Sequence, residues 1–244
     1  MKIPKRAENV HRRAFHPFVE GLLNLAFPPI CLGCGERVAG SDMILCLPCL
    51  RAVDRAEESE VEARMQRLPE VREAIDYAFS LWIFDKGGIL QQVHHALKYG
   101  NRPLYGVLLG EILGAVLQQK YERRPLPEVI VPIPLHRTRF YERGYNQSER
   151  LAAGIARALG VPAASDLLMR GRSTASQTRL SRAERWKNLS GAFEVPDPSQ
   201  VRDASILLVD DVLTTGATAG AAAQSLKQAG AFRVDLVTLA MART

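Results

Sequence analysis

Two adjacent carboxylates, Asp210 and Asp211, close an apolar run, Ile206-Leu207-Leu208-Val209, and Val212-Leu213-Thr214-Thr215-Gly216-Ala217-Thr218 follows at once. The apolar run reads as a buried parallel strand. Ala219 to Lys227, next in line, has the composition of a helix. In open α/β sheets, ligands lie beyond the carboxyl ends of the strands. A turn that opens a helix there aims backbone N–H groups and the positive end of the helix dipole at an anion. The Thr hydroxyls add donors, and Gly216 lets the backbone approach closely. The acids suit vicinal hydroxyls or a hard divalent cation, not the phosphate itself. The combination describes a site for a phosphorylated ribose. A buried strand with an ordinary capped helix start explains the run and the turn, but has no use for two acids side by side. A Walker-type loop fits poorly, because it needs Gly-Lys-Ser/Thr and no Lys occurs between Ile206 and Leu226.

The second chemical constellation is Cys31-x-x-Cys34 with Cys46-x-x-Cys49, which uses all 4 cysteines of the chain. Each short turn can aim two thiolates at one tetrahedral ion, so the pairs read as a structural Zn²⁺ site. Gly33, Gly35 and Pro48 suit the tight turns. Disulfides are the competing reading; a reducing compartment would oppose them. Four thiolates leave zinc no open position for catalysis.

The 244 residues allow one good-sized domain plus a small module. With 47% hydrophobic and 24% charged residues, the composition is that of a globular protein. No apolar run approaches the roughly 18 to 20 residues of a membrane helix. The basic start (Lys2, Lys5, Arg6, Arg12, Arg13) and the apolar Leu22–Ile30 faintly imitate a signal peptide, but no small-residue cleavage pattern follows. The chain is therefore expected to be cytoplasmic. A net charge of +6 and a pI near 9.3 permit nucleic-acid contact and equally suit a phosphate-handling enzyme or a solvated basic surface.

The elements around these sites follow from periodicity. Tyr77–Phe84 is a strand, Ile89–Leu97 and Leu104–Lys120 are helices, and Val129–Pro134 is a strand that proline ends. Ser148–Leu159 is a helix with Gly160-Val161-Pro162 as its stop. Asp166–Met169 is a candidate strand, Ser181–Leu189 a short helix, and Arg233–Ala242 a final strand. Strands alternating with helices imply βαβ units and a parallel sheet. The expected organisation is a basic tail over 1–20, a zinc module over 21–52, a linker over 53–72 and an α/β domain over 73–244.

Three further segments could serve the site. Lys98-Tyr99-Gly100 ends a predicted helix and could meet a second phosphate, although Lys before Gly is also an ordinary helix end. His94 and His95 precede it and are expected to pack or face solvent. Pro132 to Gln147 carries Arg137, Arg139, Arg143 and His136 beyond a strand end, and Arg fits phosphate bidentately. Ser176 to Leu189 is polar and cationic, suited to a lid or to a surface helix.

The 206–218 stretch resembles the PRPP-binding motif of type I phosphoribosyltransferases at every position. The resemblance implies that Asp210 and Asp211 contact the ribose hydroxyls, directly or through Mg²⁺. It implies that Thr214, Thr215, Gly216, Ala217 and Thr218 hold the 5-phosphate. Lys98, Tyr99 and Gly100 look similar to the family's pyrophosphate loop, with Lys98 and Arg143 as the groups that stabilise the leaving pyrophosphate. A four-Cys module ahead of such a domain resembles the ComF family, as do Arg143-Gly144-Tyr145-Asn146-Gln147, Gln177, Leu180, Arg185, Asn188 and Gly191-Ala192-Phe193. That resemblance covers the chain from Leu22 onward and links it to DNA uptake during bacterial competence. It supplies no substrate. Two readings follow: a phosphoribosyltransferase acting on PRPP or a related ribose 5-phosphate, and a non-catalytic protein that meets single-stranded DNA or a competence helicase through the zinc module and the Arg-rich segment.

Overall fold

The computed structural model describes residues 28–40, 43–67, 69–100, 102–171 and 191–243. The N-terminal tail and the Ser176–Leu189 segment lie outside the described residues. Four parallel strands form the main sheet: β1 (Tyr77–Phe84), β2 (Val129–Pro132), β5 (Ser205–Leu213) and β6 (Arg233–Ala242), in the order β1-β6-β5-β2. The first helix pair after β1, α4 (Ile89–Tyr99) and α5 (Pro103–Tyr121), carries the chain across to β2 at the far edge. Beyond β2 come α6 (Arg137–Arg143) and α7 (Gln147–Leu159), and α8 (Ala217–Gln228) joins β5 to β6. Met169–Arg170 (β3) and Phe193–Glu194 (β4) make a separate antiparallel pair, so the expected strand at 166–169 shrinks to its end. Arg137–Arg143, read from sequence as part of a loop, is a helix whose end is Gly144 at φ 76°, a conformation that glycine adopts freely.

The alternation of β5 separates two cores. Ile206 and Leu208 face α8 and the second described helix, α2 (Glu58–Gln66), through Ala221, Leu226, Val61 and Met65. Leu207 and Val209 face α4, α5 and α7 through Leu97, Leu113 and Ile155. Burial on both faces is why β5 reads as a continuous apolar run.

The second core also contains Cys31, Ile44, Leu45, Cys49 and Val53. A short helix, α1 (Leu47–Ala52), carries Cys49 inward. After it, the chain runs antiparallel along the free edge of β1, with Ile83 N–H donating to Asp54 O at 2.8 Å and Ala56 N–H to Leu81 O at 3.3 Å. Residues 53–72, expected as a linker, thus contribute an edge segment, α2 and α3 (Pro69–Ala74).

The packing of α5 on α7 is a backbone contact. Gly106, Gly110 and Gly114 recur every four residues on α5; a Cβ at Gly110 would stand 2.2 Å from Leu151 O, and one at Gly154 would stand 2.0 Å from Val107 O. Helical spacing of these glycines lets the two axes approach until no side chain fits between them. This approach seats the N-terminus of α7 beside the carboxyl end of β5.

Candidate phosphosugar site and cysteine cluster

The ladder between β2 and β5 ends at Pro132↔Val209, with Ile133 N–H donating to Val209 O at 2.9 Å. Beyond that point β5 continues through the two acids, still paired with β6 at Asp210↔Thr238. Prolines 132 and 134 stop the edge strand and open one side of β5 from Asp210 onward. The first turn of α7 fills that opening. Asn146 caps the helix, its Oδ1 accepting from Ser148 N–H at 3.1 Å while its Nδ2 donates to Ile133 O at 3.0 Å. Ser148 Oγ then donates to Asp210 Oδ1 at 3.0 Å.

Asp211 turns to the opposite side, as strand alternation requires. Its Oδ2 lies 3.1 Å from Lys98 Nζ and 3.4 Å from His94 Nε2, both on α4. The structure therefore brings Lys98 to the acids directly, from the last turn of a helix; Tyr99 is exposed and Gly100 is the cap. His94, expected to pack or face solvent, stands in the site. It follows Val93 and stands four residues after Leu90, on the apolar stripe of α4 where a histidine ordinarily packs, and its partner shows only once β5 is beside the helix.

The two acids differ electrostatically. Burial pushes the Asp210 carboxyl up and the adjacent Asp211 charge pushes it further, to about 7. Burial opposes ionisation of Asp211 as well, but His94 and Lys98 outweigh it and hold that carboxyl well below the ordinary range. Two neighbouring carboxylates with pKa values driven apart mark a functional site more often than a structural one. Arg170, on β3, is near enough for its guanidinium to feel both Asp210 and Arg139.

The turn after the acids opens α8 at a glycine. Gly216 caps α8 at φ 85°, and Thr215 Oγ1 accepts from Ala217 N–H at 3.4 Å. Gly216 and Ala217 are buried, Thr215 and Thr218 partly so, and Thr214 is exposed. On the α7 side, Arg143 Nη1 donates to Gln147 Oε1 at 3.0 Å, and its guanidinium sits 5.8 Å over the Tyr99 ring. Tyr145 is buried and its hydroxyl donates to Leu97 O, which pins this segment to the end of α4. The structure thus joins Asp210, Asp211, Lys98 and the 214–218 turn around one rim, with Arg143 near Tyr99. A cleft of about 650 Å³, lined by Phe84, His94, Lys98, Asp211, Thr214 and Arg243, opens beside Asp211.

The cysteine sulfurs lie within 4.8 Å of one another, Cys34 and Cys46 at 3.7 Å, and no disulfide joins them. Such a set could hold a metal ion: a tetrahedral ion with sulfurs about 2.3 Å away spaces them at roughly 3.8 Å. Burial pushes the Cys31 thiol up, but N–H donors of Cys46, Cys34 and Gly33 bring it down to about 6. Gly33 is required by crowding, since a Cβ there would stand 2.8 Å from Cys49 Sγ.

The chain is similar to several known proteins. Residues 146–244 match the phosphoribosyl transferase domain. The chain is 33% identical over 239 residues to the DNA utilization protein YhgH of Escherichia coli K12, covering 89% of this chain and 96% of that protein. It is 35% identical over 118 residues to competence protein F of Haemophilus influenzae, covering 48% of this chain and 52% of the other. A solved structure titled the allosteric regulatory enzyme of purine biosynthesis is similar at 22% identity and a TM-score of 0.40, covering 59% of this chain and 29% of that one. The domain is a type I phosphoribosyltransferase-like parallel sheet flanked by helices. The chain belongs to the ComF family.

Proposed function

We propose that this protein binds PRPP, or a related ribose 5-phosphate, with Mg²⁺ at the rim formed by β5, α8, α4 and α7. The observation that carries the reading is the acid pair at the open end of β5 immediately ahead of the Gly216-capped start of α8. N–H groups of residues 215–218 and the Thr hydroxyls would take the 5-phosphate, and Asp210 and Asp211 the ribose hydroxyls. The acids fit a hard cation, and Mg²⁺ would supply charge neutralisation of the diphosphate.

As an enzyme, the protein would transfer phosphoribosyl to a nitrogen base. The nitrogen lone pair forms the new bond to the anomeric carbon, the C–O bond breaks, and its electrons leave with pyrophosphate as the nitrogen sheds its proton. No protein nucleophile is needed; cationic groups facing the departing diphosphate do the stabilising. Lys98 and Arg143 are the cations for that role, and the Gln147 amide adds a neutral donor. Gln147 is buried and its Nε2 has no hydrogen-bond partner among the described residues. Calorimetry with PRPP, with and without Mg²⁺, tests binding; pyrophosphate release across a panel of bases tests turnover. Equal affinity of wild type and an Asp210→Asn/Asp211→Asn double variant would remove the reading.

Cys31, Cys34, Cys46 and Cys49 would hold one structural Zn²⁺, in a module over 21–52 ahead of the sugar-binding domain over 73–244. We assign the protein to the cytoplasm, where thiols stay reduced; among the described residues no helix is long and apolar enough to cross a membrane.

A second reading rests on α6. Phe140 and Tyr141 are 44% and 83% exposed, and they lie side by side between Arg139 and Arg143, with Arg137 shortly before them, on one short helix. Exposed rings for base stacking between cations for phosphates suit single-stranded DNA. The name of the E. coli relative, DNA utilization protein, and that of the H. influenzae relative, competence protein F, favour the same partner or a DNA-processing protein such as a helicase bound to it.

A further inference from the structure

Arg64 is a cation in an unusual place. It belongs to α2, far from the acids in sequence, and is only 5% exposed. Val61 and Met65, beside it on the same helix, are buried in the core that contains Ala217, Ala219 and Ala221 of α8. Packing of α2 on β1 carries Arg64 to the carboxyl ends of the sheet. There Nη2 donates to Ala242 O at 2.8 Å and Nη1 donates to Thr214 O. Ala242 is the last residue of β6, and Thr214 is the first residue after β5. The planar guanidinium therefore ties a rigid strand end to the first peptide of the candidate phosphate turn.

We propose that Arg64 is a positioning residue for the 5-phosphate, acting through the Thr214 peptide; this deepens the phosphosugar reading and rests on it. The physical argument is the trans peptide plane, which carries the Thr214 carbonyl and the Thr215 N–H on opposite sides. A carbonyl pinned toward Arg64 turns the Thr215 N–H the other way, out of the core and into the turn that Gly216 closes. Without the guanidinium fork the Thr214 carbonyl loses its tie to the end of β6, and the peptide plane, with its N–H, is free to turn. The rigid fork matters: Lys offers a single point of charge and cannot span two carbonyls of fixed separation. The guanidinium charge also lies behind the turn, on the side that favours an anion in front of it.

The test uses full-length wild type, Arg64→Lys and Arg64→Gln, with ribose 5-phosphate and inorganic pyrophosphate as calorimetric probes. Ribose 5-phosphate affinity should fall roughly tenfold or more in Arg64→Gln and less in Arg64→Lys. Pyrophosphate affinity should stay at the wild-type value, which a general loss of fold would not permit. Amide exchange read without any sugar should speed up at residues 214–218 and stay unchanged in the middle of β6. The proposal is overturned if both probes weaken together, if ribose 5-phosphate binds as to wild type, or if exchange in the turn does not change. If wild type binds no ribose 5-phosphate, the phosphosugar reading fails by itself and exchange alone decides the role of Arg64. If Arg64→Gln does not fold, the Arg64→Lys affinities and exchange decide it.

Discussion

Lys98 Nζ stands 3.1 Å from Asp211 Oδ2, and both side chains are about 15% exposed. The group proposed for the diphosphate and the group proposed for the ribose are thus each other's neighbours. His94 shares the same carboxylate oxygen at 3.4 Å. Asp211 is consequently held ionised, whereas burial and the Asp211 charge push the Asp210 carboxyl, one residue away, up to about 7.

Asp210→Asn and Asp211→Asn should each weaken PRPP binding while leaving the fold intact. Each lost charged contact is expected to cost about 1.5–3 kcal/mol. Calorimetry at one fixed Mg²⁺ concentration measures it, with circular dichroism as the control for folding.

The raised Asp210 pKa sets a pH dependence of stability. Its folded value of about 7 lies above the ordinary aspartate value of 3.8, so between the two the native state holds a proton that the unfolded chain has lost. Stability contributed at this site therefore falls as pH rises from about 4 to about 7. Asp210→Asn should melt higher than wild type at pH 8, and the difference should shrink toward pH 4. About 2–4 °C is expected for each kcal/mol relieved. An unchanged difference across that window, followed by thermal denaturation, would refute the assignment of strain to Asp210.

Gly154→Ala should destabilise the protein by about 3 kcal/mol, at the upper end for overpacking, because the new Cβ meets backbone at 2.0 Å rather than a movable side chain. Pushing α7 from α5 also moves Ser148 away from Asp210. Urea unfolding reads the first effect, and PRPP affinity should drop in the folded fraction.

Purified protein should contain about one zinc per chain by elemental analysis. Chelation should lower the melting temperature of the whole sheet, since Cys31 and Cys49 are buried in the same core as Trp82 and Leu113. A chelated protein that melts as before would mean that the cysteine cluster does not support that core.

For single-stranded DNA, Tyr141→Ala should cost about 1–3 kcal/mol if one base stacks there. Arg137→Ala with Arg139→Ala should reduce the slope of log K against log salt by about 1.4, at roughly 0.7 per phosphate. Fluorescence anisotropy of a labelled oligonucleotide over a salt series measures both, and a salt-independent signal would leave only a protein partner.

The local parts of this protein were legible in its sequence because they depend on neighbours along the chain. The apolar run of 206–209, the paired acids, the glycine that caps α8 and the two Cys-x-x-Cys turns are short-range patterns, and each falls where those patterns predict it. Tertiary structure decided what meets the acids and the turn after them. Nothing about Ser148, His94 or Arg64 in sequence marks them for the site, since each reaches it from a different element: α7, α4 and α2. Their positions depend on the close approach of α5 and α7 at glycine, on β2 ending at proline, and on the edge segment after Cys49 lying along β1. These are long-range packing events, in which residues far apart in the chain become neighbours only when both faces of β5 are buried.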